Sequence, residues 1–130
     1  MKYKSFEVKL KTNKTREYLW EKINTPKKLI KLEHFPKNSK FKKISENNYE
    51  FYFGKRFAFL TFVPNSGVNM SFIENNDSSL AWFEIKGEKN CTIIHGTSVR
   101  MDDDDGKWYR KNKKSMGKHF MEELKEWAKW

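Results

Sequence analysis

One cysteine is all the chain has, and Cys91 without a second thiol cannot close an internal disulfide. A fold stapled by bridges is thereby excluded, and a lone thiol suits a reducing interior. Proline and glycine are scarce, at 3 and 6 residues. No Pro/Gly/Ser-rich linker divides the chain, so one domain spanning residues 1–130 is expected. Long apolar runs are missing too. The longest, FAFLTFV at Phe57–Val63, is far short of the roughly 20 residues a membrane helix needs. The opening MKYKSFEVK alternates polar and apolar residues and lacks the apolar stretch of a signal peptide. A soluble cytoplasmic protein with no membrane span is the expectation.

Aromatic residues are plentiful instead. They make up 16% of a chain that is only 37% apolar, with 11 Phe and 5 Trp. Each buries a large area, so an adequate core is available although the chain is hydrophilic on average.

The order of elements follows from periodicity. Phe6, Val8 and Leu10 alternate with Ser5, Glu7 and Lys9, which predicts a half-buried strand over Lys4–Lys11. Asn13 or Thr15 can cap a helix in which Leu19, Trp20 and Ile23 share a face. Thr25-Pro26 starts a second short helix, with Thr25 as cap and Leu29, Ile30 and Leu32 as its apolar side. A run of strands follows: Phe41–Ile44, Tyr49–Phe53, Phe57–Val63, Val68–Phe72, Ala81–Ile85 and Cys91–Met101. They are separated by turns at Glu46–Asn48, Pro64–Gly67, Glu74–Ser79 and Gly87–Asn90. Short loops at such regular intervals argue antiparallel neighbours.

The closing segment, Lys107–Trp130, carries the cleanest pattern. Tyr109, Met116, Phe120, Leu124 and Trp127 fall in one helical arc, with Lys107, Arg110, Lys111, Lys114, Lys118, Lys125 and Lys129 opposite. Such a helix must lay its apolar face on something, and the sheet is the large apolar surface available. A curved sheet wrapped around a long helix encloses space.

Here the chain resembles a known family. The stretch TREYLWEKINTPKKLIKLE, and within it Leu19-Trp20-Glu21-Lys22-Ile23-Asn24-Thr25-Pro26-Lys27-Lys28-Leu29, is similar to the START-like helix-grip superfamily. That superfamily includes polyketide cyclases, birch-pollen allergens and proteins similar to the activator of a heat-shock chaperone ATPase. The resemblance covers essentially the whole chain, which departs from it by being short. A Leu32-Glu33-His34-Phe35 stretch stands where a Trp often closes the second helix. The resemblance implies an α+β helix-grip domain with an apolar pocket between sheet and closing helix. It implies no particular chemistry, because the fold hosts carriers, cyclases and chaperone partners alike.

Candidate pocket residues are Phe51, Phe72, Phe83, Met116 and Phe120 as walls, with His95, Thr97 and Lys113 as polar groups. His95 points inward from the last strand, as a hydrogen-bonding group or a core histidine. Lys113 lies inside the apolar arc of the closing helix, either meeting an anionic head group or snorkelling to water. Cys91 is four residues from His95 on the same strand face, roughly 13 Å at strand rise, which excludes a shared metal within that strand. Asp102–Asp105 followed by Gly106 fails as an EF-hand, since Met101 and Asn112 would occupy its first and twelfth places. It reads instead as a loop that caps the helix. No cofactor, no metal and no catalytic set is expected.

The net charge of +10 raises nucleic acid as a rival partner through Lys107-Trp108-Tyr109-Arg110-Lys111. The stripe lies where a solvated helix face belongs, so this reading ranks last. The preferred expectation is binding of a small apolar or amphipathic molecule in the pocket. A chaperone-cofactor-like interaction domain is next, with Trp82, Trp108 and Trp130 as the exposed aromatics. A cyclase or hydratase follows.

Overall fold

The computed structural model describes residues 2–74 and 77–129. The elements run β1 Tyr3–Lys11, α1 Arg16–Glu21, α2 Pro26–Glu33, β2 Lys40–Ser45, β3 Asn48–Phe53, β4 Arg56–Val63, β5 Gly67–Glu74, β6 Asp77–Lys86, β7 Thr92–Arg100 and α3 Asp103–Trp127. The strands form one curved antiparallel sheet in the order β1-β7-β6-β5-β4-β3-β2. The first strand pairs with the last, from Tyr3 opposite Arg100 to Lys11 opposite Thr92. The meander in between is the one the turn signals predict.

Both short helices begin at threonine caps. The Thr15 hydroxyl accepts the Tyr18 amide and the Thr25 hydroxyl the Lys28 amide, each at 3.2 Å. Pro26 opens α2 with its φ already set, and His34 ends it in the left-handed conformation, φ 57°. Two expectations change. The turn expected over Glu74–Ser79 is shorter, because β5 runs to Glu74 and β6 begins at Asp77; residues 75 and 76 lie outside the described ones. The closing helix starts at Asp103 rather than Lys107, so much of the acidic run forms its first turn. Asp102 holds the cap position, but its carboxylate accepts the Lys2 amide at 2.8 Å and makes no bond to the helix.

The core joins three sources. Leu19 and Leu29 come from the short helices and Ile23 from the turn between them, Phe51, Leu60, Met70, Phe83 and Ile93 from the sheet, and Leu124 and Trp127 from α3. The long helix lies over β1 and β7 and touches α2, which leaves the β3–β5 end to the α2–β2 connection. There Phe35 packs its ring 5.1 Å from Phe51 and 5.0 Å from Phe53. On the convex face Gly96 lies beneath the Trp82 indole, so close that a Cβ would meet ring atoms at 2.5 Å. Among the described residues, no helix is long and apolar enough to cross a membrane.

Candidate functional site

His95 sits on the concave face of β7, opposite Phe83 in the β6–β7 register. Its imidazole is held between two rings. Phe83 stacks on one side at 4.0 Å and 12°, and Phe120 of α3 on the other at 4.0 Å and 27°. Nδ1 lies 2.9 Å from the Trp82 carbonyl oxygen. A carbonyl can only accept, so Nδ1 carries a proton and the neutral ring leaves its lone pair on Nε2.

That lone pair faces two carboxylates. Glu33 Oε1 and Glu123 Oε2 each lie 3.5 Å from His95 Nε2. Glu33 is the last residue of α2, turned inward by the helix that ends at His34. Glu123 lies on α3 beside Leu124 and is 4% exposed. No donor from outside the cluster is aligned on Glu33 Oε1 or on either oxygen of Glu123, and a proton held by one of these carboxyl groups hydrogen-bonds it to the other. His119 Nε2 stands 2.7 Å from Glu123 Oε1, outside hydrogen-bond alignment.

Burial sets the protonation. It pushes the Glu33 carboxyl up to about 8, against the pull of His95 and with a further push from Glu123. It likewise raises Glu123 to about 7. His95 is lowered, again by burial first, against the opposing effects of Glu33 and the Trp82 carbonyl. Near pH 7 the cluster therefore combines a neutral imidazole with a carboxyl pair that still holds a proton. It can hold a proton, donate one, or bind a cation.

The predicted site residues divide. His95, Phe83 and Phe120 meet in one stack, and Phe120 also packs 5.7 Å from Phe6. Thr97 is half-buried two residues along β7 and donates its hydroxyl to the Leu80 carbonyl at 2.8 Å. Met116 is half-buried on the inner side of α3. Phe51 and Phe72 belong to a separate aromatic group around Phe53, with centroids 4.9 and 5.9 Å from it. Lys113 is exposed, so the titratable groups beside His95 are Glu33 and Glu123 where a lysine was expected. Of the aromatics expected on the surface, Trp108 is exposed, Trp82 is half-buried over Gly96, and Trp130 lies outside the described residues.

Sequence reasoning missed both carboxylates, although a signal existed. Glu123 lies three residues after Phe120 and four before Trp127, inside the apolar arc. Glu33 lies four residues after buried Leu29. A search confined to one strand cannot find donors that arrive from α2, α3 and β7.

A seven-stranded antiparallel sheet gripping a long C-terminal helix, with two short helices after β1, decides the architecture. It is the helix-grip fold. No family model and no curated protein sequence matches the chain. Solved structures with the helix-grip fold do. The di-domain ARO/CYC BexL from the BE-7585A biosynthetic pathway superposes with a TM-score of 0.71 at 8% identity, over 98% of this chain and 50% of that one. This chain thus spans about half of that protein. The Aha1 dimer from Colwellia psychrerythraea gives 0.56 at 15% identity, over 94% and 93% of the two chains. Norcoclaurine synthase from Thalictrum flavum, in complex with dopamine and hydroxybenzaldehyde, gives 0.54 at 13%, over 75% and 69%.

Proposed function

We propose that residues 1–130 act as one unit that binds a small amphipathic molecule under α3. Its polar end lies against Glu33, His95 and Glu123, and its apolar body against Phe6, Met116 and Phe120. The observation that carries this reading is the polar pole itself. Three buried carboxylate oxygens on which no donor from outside the cluster is aligned stand at the end of an aromatic wall. Buried polar groups are normally satisfied, and those left open mark places where something else completes them. That norcoclaurine synthase, which shares the fold, was solved with two small aromatic molecules is consistent with this use. The buried free thiol of Cys91 suits a reducing cytoplasm as the site of action.

Native mass spectrometry of freshly purified protein tests the reading by looking for a co-purified organic adduct. An environment-sensitive amphipathic dye should bind once per chain. Met116→Trp, which fills space one turn before Phe120, should abolish that binding in a chain that still melts cooperatively. Unsaturable dye uptake, or equal uptake by Met116→Trp, would remove the proposal.

A second reading, a protein-interaction domain, is favoured by the convex face of the sheet. Tyr52, Phe59, Ile73 and Leu80 are exposed there, and Phe57 joins Tyr52 to Phe59 with ring centroids 5.0 and 4.8 Å away. Lys40 and Lys42 border this patch from β2, opposite Tyr52 and Glu50. An apolar patch with a basic border fits a partner surface that is apolar and ringed by acidic groups. Fluorescence anisotropy with an amphipathic Leu/Glu model helix tests it. Binding should vanish in Phe59→Lys/Leu80→Lys, and no binding by the parent chain would end this reading.

A further inference from the structure

We propose that Glu33, His95 and Glu123 form a binding site for one divalent transition-metal ion of the Zn²⁺ type. The inference does not require the amphipathic molecule, because the three donors converge on one another without it. One ligand atom from each lies within 4.8 Å of the others. They reach that point from α2, β7 and α3, elements far apart in the chain.

Distance separates a metal site from a hydrogen-bonded cluster. A hydrogen bond between imidazole and carboxylate is expected at about 2.7–3.2 Å. Both carboxylates here stand 3.5 Å from Nε2. A tetrahedral ion with bonds of about 2.0–2.1 Å separates its ligand atoms by about 3.3–3.4 Å, close to that spacing. Three protein ligands leave the fourth position of such an ion open.

The surroundings are those a metal ligand requires. Nδ1–H of His95 donates to the Trp82 carbonyl, which fixes the tautomer and aims the Nε2 lone pair at the two carboxylates. The stacked rings of Phe83 and Phe120 prevent the imidazole from turning away. His119 stands behind Glu123 at Oε1, where an outer group orients a ligating carboxylate while Oε2 faces His95. Charge balances as well: two carboxylates and a neutral imidazole surrounding a divalent cation sum to zero. An ion there would also neutralise Glu123, which is only 4% exposed and has no aligned donor from outside the cluster.

Co²⁺ titrated into the chelator-treated full chain tests the site, since four-coordinate Co²⁺ absorbs strongly in the visible. One ion should bind per chain, Zn²⁺ should displace it, and Zn²⁺ should raise the melting temperature. Glu33→Gln and Glu123→Gln, each shown to be folded by circular dichroism, should weaken affinity by at least about 10–100-fold. Asp104→Asn/Asp105→Asn, changed in the exposed acidic turn of α3, should bind as the parent does. Absence of a stoichiometric ion would overturn the proposal. So would an ion whose affinity the two Gln variants leave unchanged, or one lost in the Asp104→Asn/Asp105→Asn variant.

Discussion

Trp127 donates its indole N–H to the main-chain carbonyl of Leu19 at 2.8 Å, across 108 residues of chain. Both residues are fully buried. The bond fastens the last turn of α3 to α1, while the Trp127 ring meets Phe83 edge-on at 5.5 Å. The end of the long helix is thus locked to both the short helices and the sheet. Trp127→Ala should cost about 3–5 kcal/mol, the range for deleting a large buried aromatic. Trp127→Phe keeps much of the apolar volume but removes the donor, and should cost about 1–3 kcal/mol. Urea denaturation of the two variants checks the order, and a Trp127→Phe loss near zero would mean the hydrogen bond contributes little.

The close approach at Gly96 gives a second test. A methyl there meets the Trp82 indole at 2.5 Å, so Gly96→Ala must displace the ring. The expected loss is about 1–3 kcal/mol, as for other overpacking. Trp82→Leu removes the obstacle, so the double variant should be more stable than the sum of single effects implies. A double-mutant cycle measured by thermal melting decides it, and strict additivity would refute the clash.

The fold was legible in the sequence because its elements announce themselves locally. Thr25-Pro26 marks a helix start, Asn65-Ser66-Gly67 a turn, and the alternation of Phe6, Val8 and Leu10 a strand. The start of α3 was less legible, since a run of aspartates reads as a loop until it is seen to favour the positive end of a helix dipole. The polar site was half legible. The inward orientation of His95 follows from the strand period, but its partners depend on where α2 ends and how α3 crosses β7. Neither is a local property, and a glutamate inside an apolar arc looks like a tolerated exception until another element brings it a neighbour. Lys113 shows the converse: a long side chain inside the arc still ends in water.

The basic side of α3 should be functionally silent toward a pocket ligand. Lys111, Lys114 and Lys118 are exposed, as is Lys113. Lys111→Glu/Lys114→Glu/Lys118→Glu should change stability by less than about 1 kcal/mol, the scale of exposed charge interactions. Lys113→Met should bind an acidic amphipathic probe as tightly as the parent chain does. Fluorescence titration checks both, with a second titration against RNA and DNA at physiological salt. Nucleic-acid binding that disappears in the triple variant would promote the partner reading that ranked last.

The titration of the cluster gives a pH profile of definite sign. In the folded chain Glu33 is held up at about 8 and Glu123 at about 7, whereas unfolded glutamates ionise near their ordinary value of about 4.3. Between those limits the folded chain keeps protons the unfolded chain has released. Their stabilising contribution is complete below the unfolded value and is lost as pH rises through about 7–8. His95 works in the opposite direction. Its folded pKa is lowered, so below about 6.5 the unfolded chain binds a proton that the buried ring refuses. Above pH 6.5 that effect is spent, and the carboxyl groups remain. Urea midpoints of chelator-treated protein should therefore fall between pH 6.5 and 8. The fall should be smaller in Glu33→Gln and in Glu123→Gln, and nearly absent in the double variant. A parent profile that is flat or rising over this window would mean that both carboxylates ionise freely where they lie. The burial of Glu123 against His95 would then need another explanation.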